Sequence, residues 1–485
     1  MDGTGPKKTG IRFGNSVFWA SSSSALAKVV DVLALFLLTR LLEPESFGLV
    51  AMALLVINGL EILLDFGVGQ ALVHKSTIDD EAAETALRII PAVGLVLYVA
   101  SFLVSRAAAS FFNSPELTNV IRALSFVLVL QSLGAVPNAL LERKLMYRNM
   151  VAAEALSSLC YLLVSASLAY MGWTVWSLVW GKLARGFVRC VVMWLSAGWR
   201  PAGKFNSKAA KELYSFGRHI VVLGLLSFIL KNLDNAVIGR YLSPADLGLY
   251  TVAYSVGNFL PTFVKMTLGR VAFPYYSRVR ENPEDLREKF LTINRANVIL
   301  CVWVTLMLAG VFPLVAGEIL GSRWGEVGPL VQILAFFGLQ RSIASVGAPI
   351  LNALGVPQAQ REPMLLNALI FVPLAVPAAK MGGARAIAIL ATVSIIPGFI
   401  WTMRRVFSLL RIRDELPRFL LPCALGITCF ALQQSLSEYV TVEGYGRAMF
   451  AAASSTVFFF LLIRVFEPTS LSNLGVFGRM LVETS

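Results

Sequence analysis

One pattern limits what this chain can fold into: apolar stretches of roughly 18 to 25 residues succeed one another from near residue 15 almost to the last residue. In hydrocarbon a peptide group has no water to bond, so each stretch is stable as a helix that satisfies its own backbone. Hydrophobic residues make up 56% of the chain and charged residues 15%, against about a quarter charged in a soluble domain. The expected fold class is an all-α polytopic membrane protein.

About fourteen spans reach the ~30 Å needed to cross a bilayer. Their centres lie near Ser24, Asn58, Leu97, Val127, Leu162, Gly186, Leu226, Asn258, Thr305, Phe337, Ile370, Leu390, Leu425 and Ser455. Pro373, Pro377, Pro397 and Pro422 interrupt the last four, as neighbouring helices allow. The first run follows MDGTGPKKTGIRFGN and is of full spanning length, so it reads as a retained helix rather than a cleaved signal.

The formal charge of +13 raises the question of nucleic acid, but the basic residues sit in short connectors between spans. Alternate connectors hold Arg143, Lys144 and Arg148; Arg200, Lys204, Lys208 and Lys211; Arg278, Arg280, Arg287 and Lys289; and Arg404, Arg405, Arg411, Arg413 and Arg418. The opposite connectors hold mostly single basic residues, such as Arg40, Arg240, Arg323 and Arg447. The positive-inside rule accounts for this asymmetry, excludes nucleic acid as a partner, and places both termini in the cytoplasm. Cys160, Cys190, Cys301, Cys423 and Cys429 fall in apolar segments and read as small buried hydrophobes. With His74 and His219 as the sole histidines, no metal or cofactor is expected.

A second feature divides the chain. TRLLEPESFGLVAMA from Thr39 recurs as GRYLSPADLGLYTVA from Gly239, so that Arg40, Leu42, Pro44, Gly48, Leu49 and Ala53 each meet the same residue type 200 positions later. Such a repeat implies two related helical lobes and, in a membrane, a transporter. The lobes are expected at residues 1–200 and 201–410, followed by two further helices and a tail at 411–485. Residues 205–219 read as an amphipathic interfacial helix opening the second lobe, or as a solvated linker. The duplicated proline-glycine hairpin itself reads as a structural turn on the outer face.

Equivalent positions of two-fold-related helices lie at equal depth, so the offset can be read residue by residue. Asn58, Glu61 and Asp65 share one helix face and correspond to Asn258, Pro261 and Lys265. Asp31 corresponds to Lys231. Charges in a bilayer cost a few kcal/mol each and face a bundle interior or a wet cavity. They therefore place Lys28, Asp31, Lys231, Asn232, Asp234 and Asn235 along a cleft between lobes, unless these charges merely hold the bundle together. Asp65 and Lys265 read as a gate-closing ion pair or as a bundle contact. Lys182, Arg185 and Arg189 share a face and either line the cleft or snorkel toward headgroups. Arg341 lies inside a span beside Gln340.

The segment LTRLLEPESFGLVAMALLVINGLEILLDFGVGQALVHK resembles the first hairpin of bacterial polysaccharide transporters. These are the lipid-linked oligosaccharide flippases of the multidrug/oligosaccharidyl-lipid/polysaccharide exporter superfamily. PNALLERKLMYRNM, SFGRHIVVLGLLSFILKNLDNAVIGRYLSPADLGLYTVAYSVGNFLP and FPYYSRVRENPEDLREKFL are similar to the same family, so that the likeness covers roughly residues 12 to 410. It implies two six-helix lobes in a V shape, two extra C-terminal helices, and alternating access in the bacterial inner membrane. The implied cargo is undecaprenyl-pyrophosphate carrying an oligosaccharide, with a polymerase and co-polymerase as pathway partners.

For such cargo Lys28, Lys231, Lys265, Arg185, Arg189 and Arg341 are the candidate pyrophosphate ligands. Asn58, Asn232, Asn235 and Asn258 are the candidate sugar ligands. Asp31, Glu61 and Asp234 are candidate H+ or Na+ coupling sites, should an ion gradient or the membrane potential drive transport. A cation-coupled drug antiporter of the same superfamily is the nearest rival, but interior basic residues favour an anionic cargo. A polymerase, ligase or glycosyltransferase would need a larger extramembrane domain and a catalytic cluster, so no enzyme is expected. A scramblase or scaffold is the remaining reading.

Overall fold

The computed structural model describes residues 27–65, 80–144, 146–201, 205–259, 276, 282–345, 347–437 and 445–467. Among these residues the secondary structure is helical, with no strand. Nine helical stretches among the described residues are long and apolar enough to cross a membrane. Thr174–Ala197 is not one of the nine, although its 24 residues suffice in length, because it carries Lys182, Arg185 and Arg189. Of the expected span centres, Ser24 lies outside the described residues, and the others lie in helices or, for Asn258, directly after one.

By its internal packing the chain divides into two units, residues 1–248 and 249–485. The first contains α1 (27–41), α2 (Pro44–Asp65), α3 (Asp80–Phe111), α4 (Leu117–Leu124), α5 (Phe126–Arg143), α6 (Tyr147–Tyr170), α7 (Thr174–Ala197) and α8 (Ser207–Tyr241). Helix α9 (Pro244–Gly257) starts there and continues into the second unit. Of residues 205–219, expected as an interfacial helix, 207–219 are the first turns of the continuous α8.

Within the first unit the two copies of the repeat meet. A Cβ on Gly48 would overlap the Pro244 carbonyl oxygen, and a Cβ on Gly248 would overlap that of Pro44. Each glycine is therefore the space into which the other copy's proline carbonyl fits. Small residues let membrane helices approach this closely, and Cα–H groups then face carbonyls. The proline-glycine turn expected to be structural thus also makes a contact between the copies, with Gly48 and Gly248 buried there.

Elsewhere in this unit small residues again set the spacing. Gly94 of α3 leaves no room for a side chain against Ser132 of α5. Ser101 and Ser125 share a buried hydrogen bond of 2.7 Å. Such hydroxyls bond carbonyls of their own helix as well, Ser132 to Val129 for example, which is how they tolerate burial.

The second unit comprises α10 (Pro283–Leu306), a π-helical turn at Met307–Val311, α11 (Phe312–Leu320), α12 (Val327–Ser345), α13 (Gly347–Ala353), α14 (Arg361–Ser394), α15 (Ile396–Leu409), α16 (Leu416–Ser437) and α17 (Tyr445–Phe466). Asn282 caps α10 by accepting from the backbone N–H groups of Glu284 and Asp285, with Pro283 at its first position. Helix α14 runs through Pro373 and Pro377; its break falls at Gly382 and Gly383, the latter with φ +61°. The expected proline interruption is thus a glycine one, since only glycine enters that conformation cheaply.

Phe290, Phe407, Phe419 and Phe459 join α10, α15, α16 and α17 in one core. At the π-turn, a Cβ on Gly310 would overlap the side-chain amide of Gln433, which also accepts a 2.7 Å hydrogen bond from Ser455. One glycine therefore admits a polar side chain that ties the last two helices to α10.

Candidate functional site

Helix α7 presents Lys182, Arg185 and Arg189 at i, i+3 and i+7, on one face. That face lines a cavity of about 620 Å³ inside the first unit. Helix α2 contributes Asn58 and Glu61, and α5 contributes Gln131 and Asn138, again one face at i and i+7. Ile57, Leu130 and Met193 are among the apolar residues of the wall.

The counter-charges come from α6 and α1. Gly181 brings α7 against Ser165 and Tyr161 of α6 with no space for a side chain, so the two helices run in close contact. Along this seam Arg185 Nη2 donates to Glu154 Oε1 at 2.6 Å, and Arg189 Nε lies 3.5 Å from Glu154 Oε2. Arg185 also forks onto Asp31, Nη1 to Oδ1 at 2.8 Å and Nη2 to Oδ2 at 3.4 Å. Lys28, one turn before, lies 3.6 Å from Asp31. Lys182 Nζ sits 5.3 Å from the centre of the Tyr161 ring, a cation–π contact.

One guanidinium thus joins three helices through two carboxylates. The side chains of Arg185, Asp31 and Glu154 are 25%, 24% and 35% exposed, so the group is neither sealed nor fully solvated. Gln131 Oε1 and Asn138 Oδ1 are buried without a hydrogen-bond partner among the described residues. A carboxamide both donates and accepts, so these side chains retain capacity for a hydroxyl-rich ligand beside the cations. A wall of this kind suits an anion attached to a polar, uncharged group.

A second polar cluster belongs to the second unit. Gly257 packs against the Leu334 backbone, which brings α12 beside the end of α9. Arg341 Nη1 donates to Tyr254 OH at 2.8 Å and to Asn258 Oδ1 at 3.1 Å, and its guanidinium lies 5.3 Å from the centre of the Phe337 ring. Gln340 donates to the Thr392 carbonyl at 3.1 Å.

Of the residues expected from sequence, the structure brings Asn58, Glu61, Arg185 and Arg189 to one cavity, with Asp31 and Lys28 linked through Arg185. Asn258 and Arg341 meet in the second cluster. Lys231, Asn232, Asp234 and Asn235 are not among the cavity's lining residues. Lys231 is exposed, Asn232 donates to the Phe228 carbonyl, and Asp234 is buried and accepts from the Asn235 backbone N–H. The gate pair lies outside the described residues: Lys265 entirely, and Asp65 in its side chain.

Sequence reasoning missed Glu154, Gln131 and Asn138. The signals were present: an acid inside an apolar span, and two carboxamides seven residues apart on one helix face.

A family model described as "Polysaccharide biosynthesis protein" matches residues 37–329. The teichuronic acid biosynthesis protein TuaB of Bacillus subtilis (strain 168) is 23% identical over 471 residues, covering 95% of this chain and 97% of its own length. The lipopolysaccharide biosynthesis protein WzxC of Escherichia coli (strain K12) is 23% identical over 372 residues, covering 76% of this chain and 75% of its own. Among solved structures, the lipid II flippase MurJ in an inward closed conformation superposes with a TM-score of 0.75 at 9% identity, over 95% of this chain and 100% of that one. At that identity the likeness speaks to fold alone.

Proposed function

This chain belongs to the polysaccharide biosynthesis protein family, and from that premise we propose that it is a flippase for undecaprenyl-pyrophosphate-linked oligosaccharide repeat units. It moves them across the bacterial inner membrane by alternating access, for assembly into exopolysaccharide, O-antigen or capsule. Two relatives are named for teichuronic acid and lipopolysaccharide biosynthesis, which supports a glycan cargo. The observation that carries the reading is the cavity of the first unit, where Lys182, Arg185 and Arg189 stand beside Asn58, Gln131 and Asn138. Cations take the diphosphate and carboxamides take the sugar. The polyprenyl chain stays in lipid.

The 200-residue repeat supports lobes at 1–200 and 201–410, with 411–485 added to them. Basic connectors support cytoplasmic termini. Arg341 with Asn258, and Lys231 with its asparagines, extend the candidate substrate path; Asp31, Glu61 and Asp234 are the candidate H+ or Na+ sites. A drug antiporter would offer its carboxylates to a cationic cargo, whereas Asp31 and Glu154 are already held by Arg185.

A deletion strain is expected to accumulate lipid-linked repeat units on the cytoplasmic face and to be rescued by the wild-type gene. Rescue is expected to fail with Arg185→Gln combined with Arg189→Gln, at equal membrane levels. A deletion strain with normal export and no accumulation would refute the reading.

A further inference from the structure

Two of the cavity's cations, Arg185 and Arg189, already face carboxylates of the protein itself. Among the described residues Lys28, Lys182, Arg185 and Arg189 stand against Asp31, Glu61 and Glu154, four positive groups to three negative. A diphosphate diester brings about two further negative charges. It would approach Arg185 and Arg189 against carboxylates already paired with both, Glu154 with each and Asp31 with Arg185, and like charges brought together in a site of low dielectric repel strongly.

The two carboxylates on Arg185 are not equivalent. Asp31 binds it through both oxygens and is braced by Lys28 one turn away. Glu154 reaches Arg185 with one oxygen at 2.6 Å and Arg189 with the other at 3.5 Å, on a side chain longer by one methylene and more exposed. It is the one of the two seen to touch both cavity-lining arginines. If it swings away, Arg185 remains anchored to α1 by Asp31, so the site opens without losing its framework.

We infer that Glu154 is a positioning residue that holds Arg185 and Arg189 in place of the cargo's anionic group, and that an entering diphosphate displaces it. The inference rests on the flippase reading above. It gives the cargo-free protein a state in which Arg185 and Arg189 are both charge-paired, and it weakens cargo binding enough for release on the far side. Tight binding of cargo by bare arginines would lower the ground state without helping turnover.

The test uses the full chain in lipid nanodiscs, with farnesyl diphosphate as the probe. Glu154→Gln keeps the shape of the side chain and removes its charge. It is expected to bind the probe about tenfold more tightly than wild type, while repeat-unit export in cells slows. A plain structural clamp between α6 and α7 would lower thermal stability and leave affinity unchanged or weaker. That result, with wild type binding the probe, would overturn the inference and spare the flippase reading. If neither protein binds the probe, both fall. A measurement on wild type needs no variant: carbodiimide labelling of Glu154, read by mass spectrometry, is expected to rise as the probe is added. Unchanged or reduced labelling would count against displacement.

Discussion

Single residues show where sequence symmetry informs and where it stops. The repeat matches Asp31 with Lys231, opposite charges at equivalent positions. In the folded chain Asp31 instead holds Arg185, while Lys231 is exposed. A repeat relates positions, not contacts, so it points to charged places without naming their partners. Partners come from helix packing, and the Gly181–Ser165 approach that sets Glu154 beside Arg185 has no counterpart in charge patterning. Arg341 stands out in sequence because an arginine within a span has few bland explanations. Its fork onto Tyr254 and Asn258 makes a further prediction. Arg341→Ala is expected to cut export about tenfold or more at unchanged membrane level, and Arg341→Lys to restore only part of it, since lysine keeps charge without the planar fork. Full export by Arg341→Ala would remove it from the substrate path. Export measured alongside membrane abundance distinguishes the cases.

At the level of elements, the helical character of the apolar runs was readable from their length and hydropathy. Where helices bend was not. Four prolines marked the C-terminal region in sequence, yet α14 passes two of them and breaks at Gly382 and Gly383. A proline's lost hydrogen bond is tolerable inside a helix, whereas a positive φ ends one. The π-turn at Met307–Val311, where Gly310 packs against the Gln433 amide of another helix, had no evident sequence mark either. This yields a compensation test. Gly310→Ala should destabilise by about 1–3 kcal/mol through overlap with the Gln433 amide. Gln433→Ala should cost about 1 kcal/mol, chiefly through the lost bond to Ser455. The double variant should be more stable than the two losses summed, because removing the amide makes room for the new methyl group. Thermal unfolding in detergent reads all three, and simple additivity would refute the fit.

For the whole molecule, the repeat accounts for 400 or so residues and leaves the last two helices looking like an appendix. The packing says otherwise for the second unit. Phe419 and Phe459 are fully buried with Phe290 and Phe407, and Arg295 pairs with Glu415 at the start of α16. Helix association in lipid depends on such packing and polar contacts rather than on apolar burial from water. A chain ending at residue 410 is therefore expected to lose most of its folded protein, as read by monodispersity in detergent. A well-folded truncation would show these helices to be dispensable for the unit's stability.

The meeting of Gly48 with Pro244, and of Gly248 with Pro44, has a consequence for descent. Halves of a duplicated gene ordinarily accumulate changes on separate accounts, each judged within its own half. Here a mutation at either glycine is judged against the carbonyl of the other half, and the reverse holds for anything that shifts either proline. A change at any of the four is therefore expected to need a compensating change in the other half.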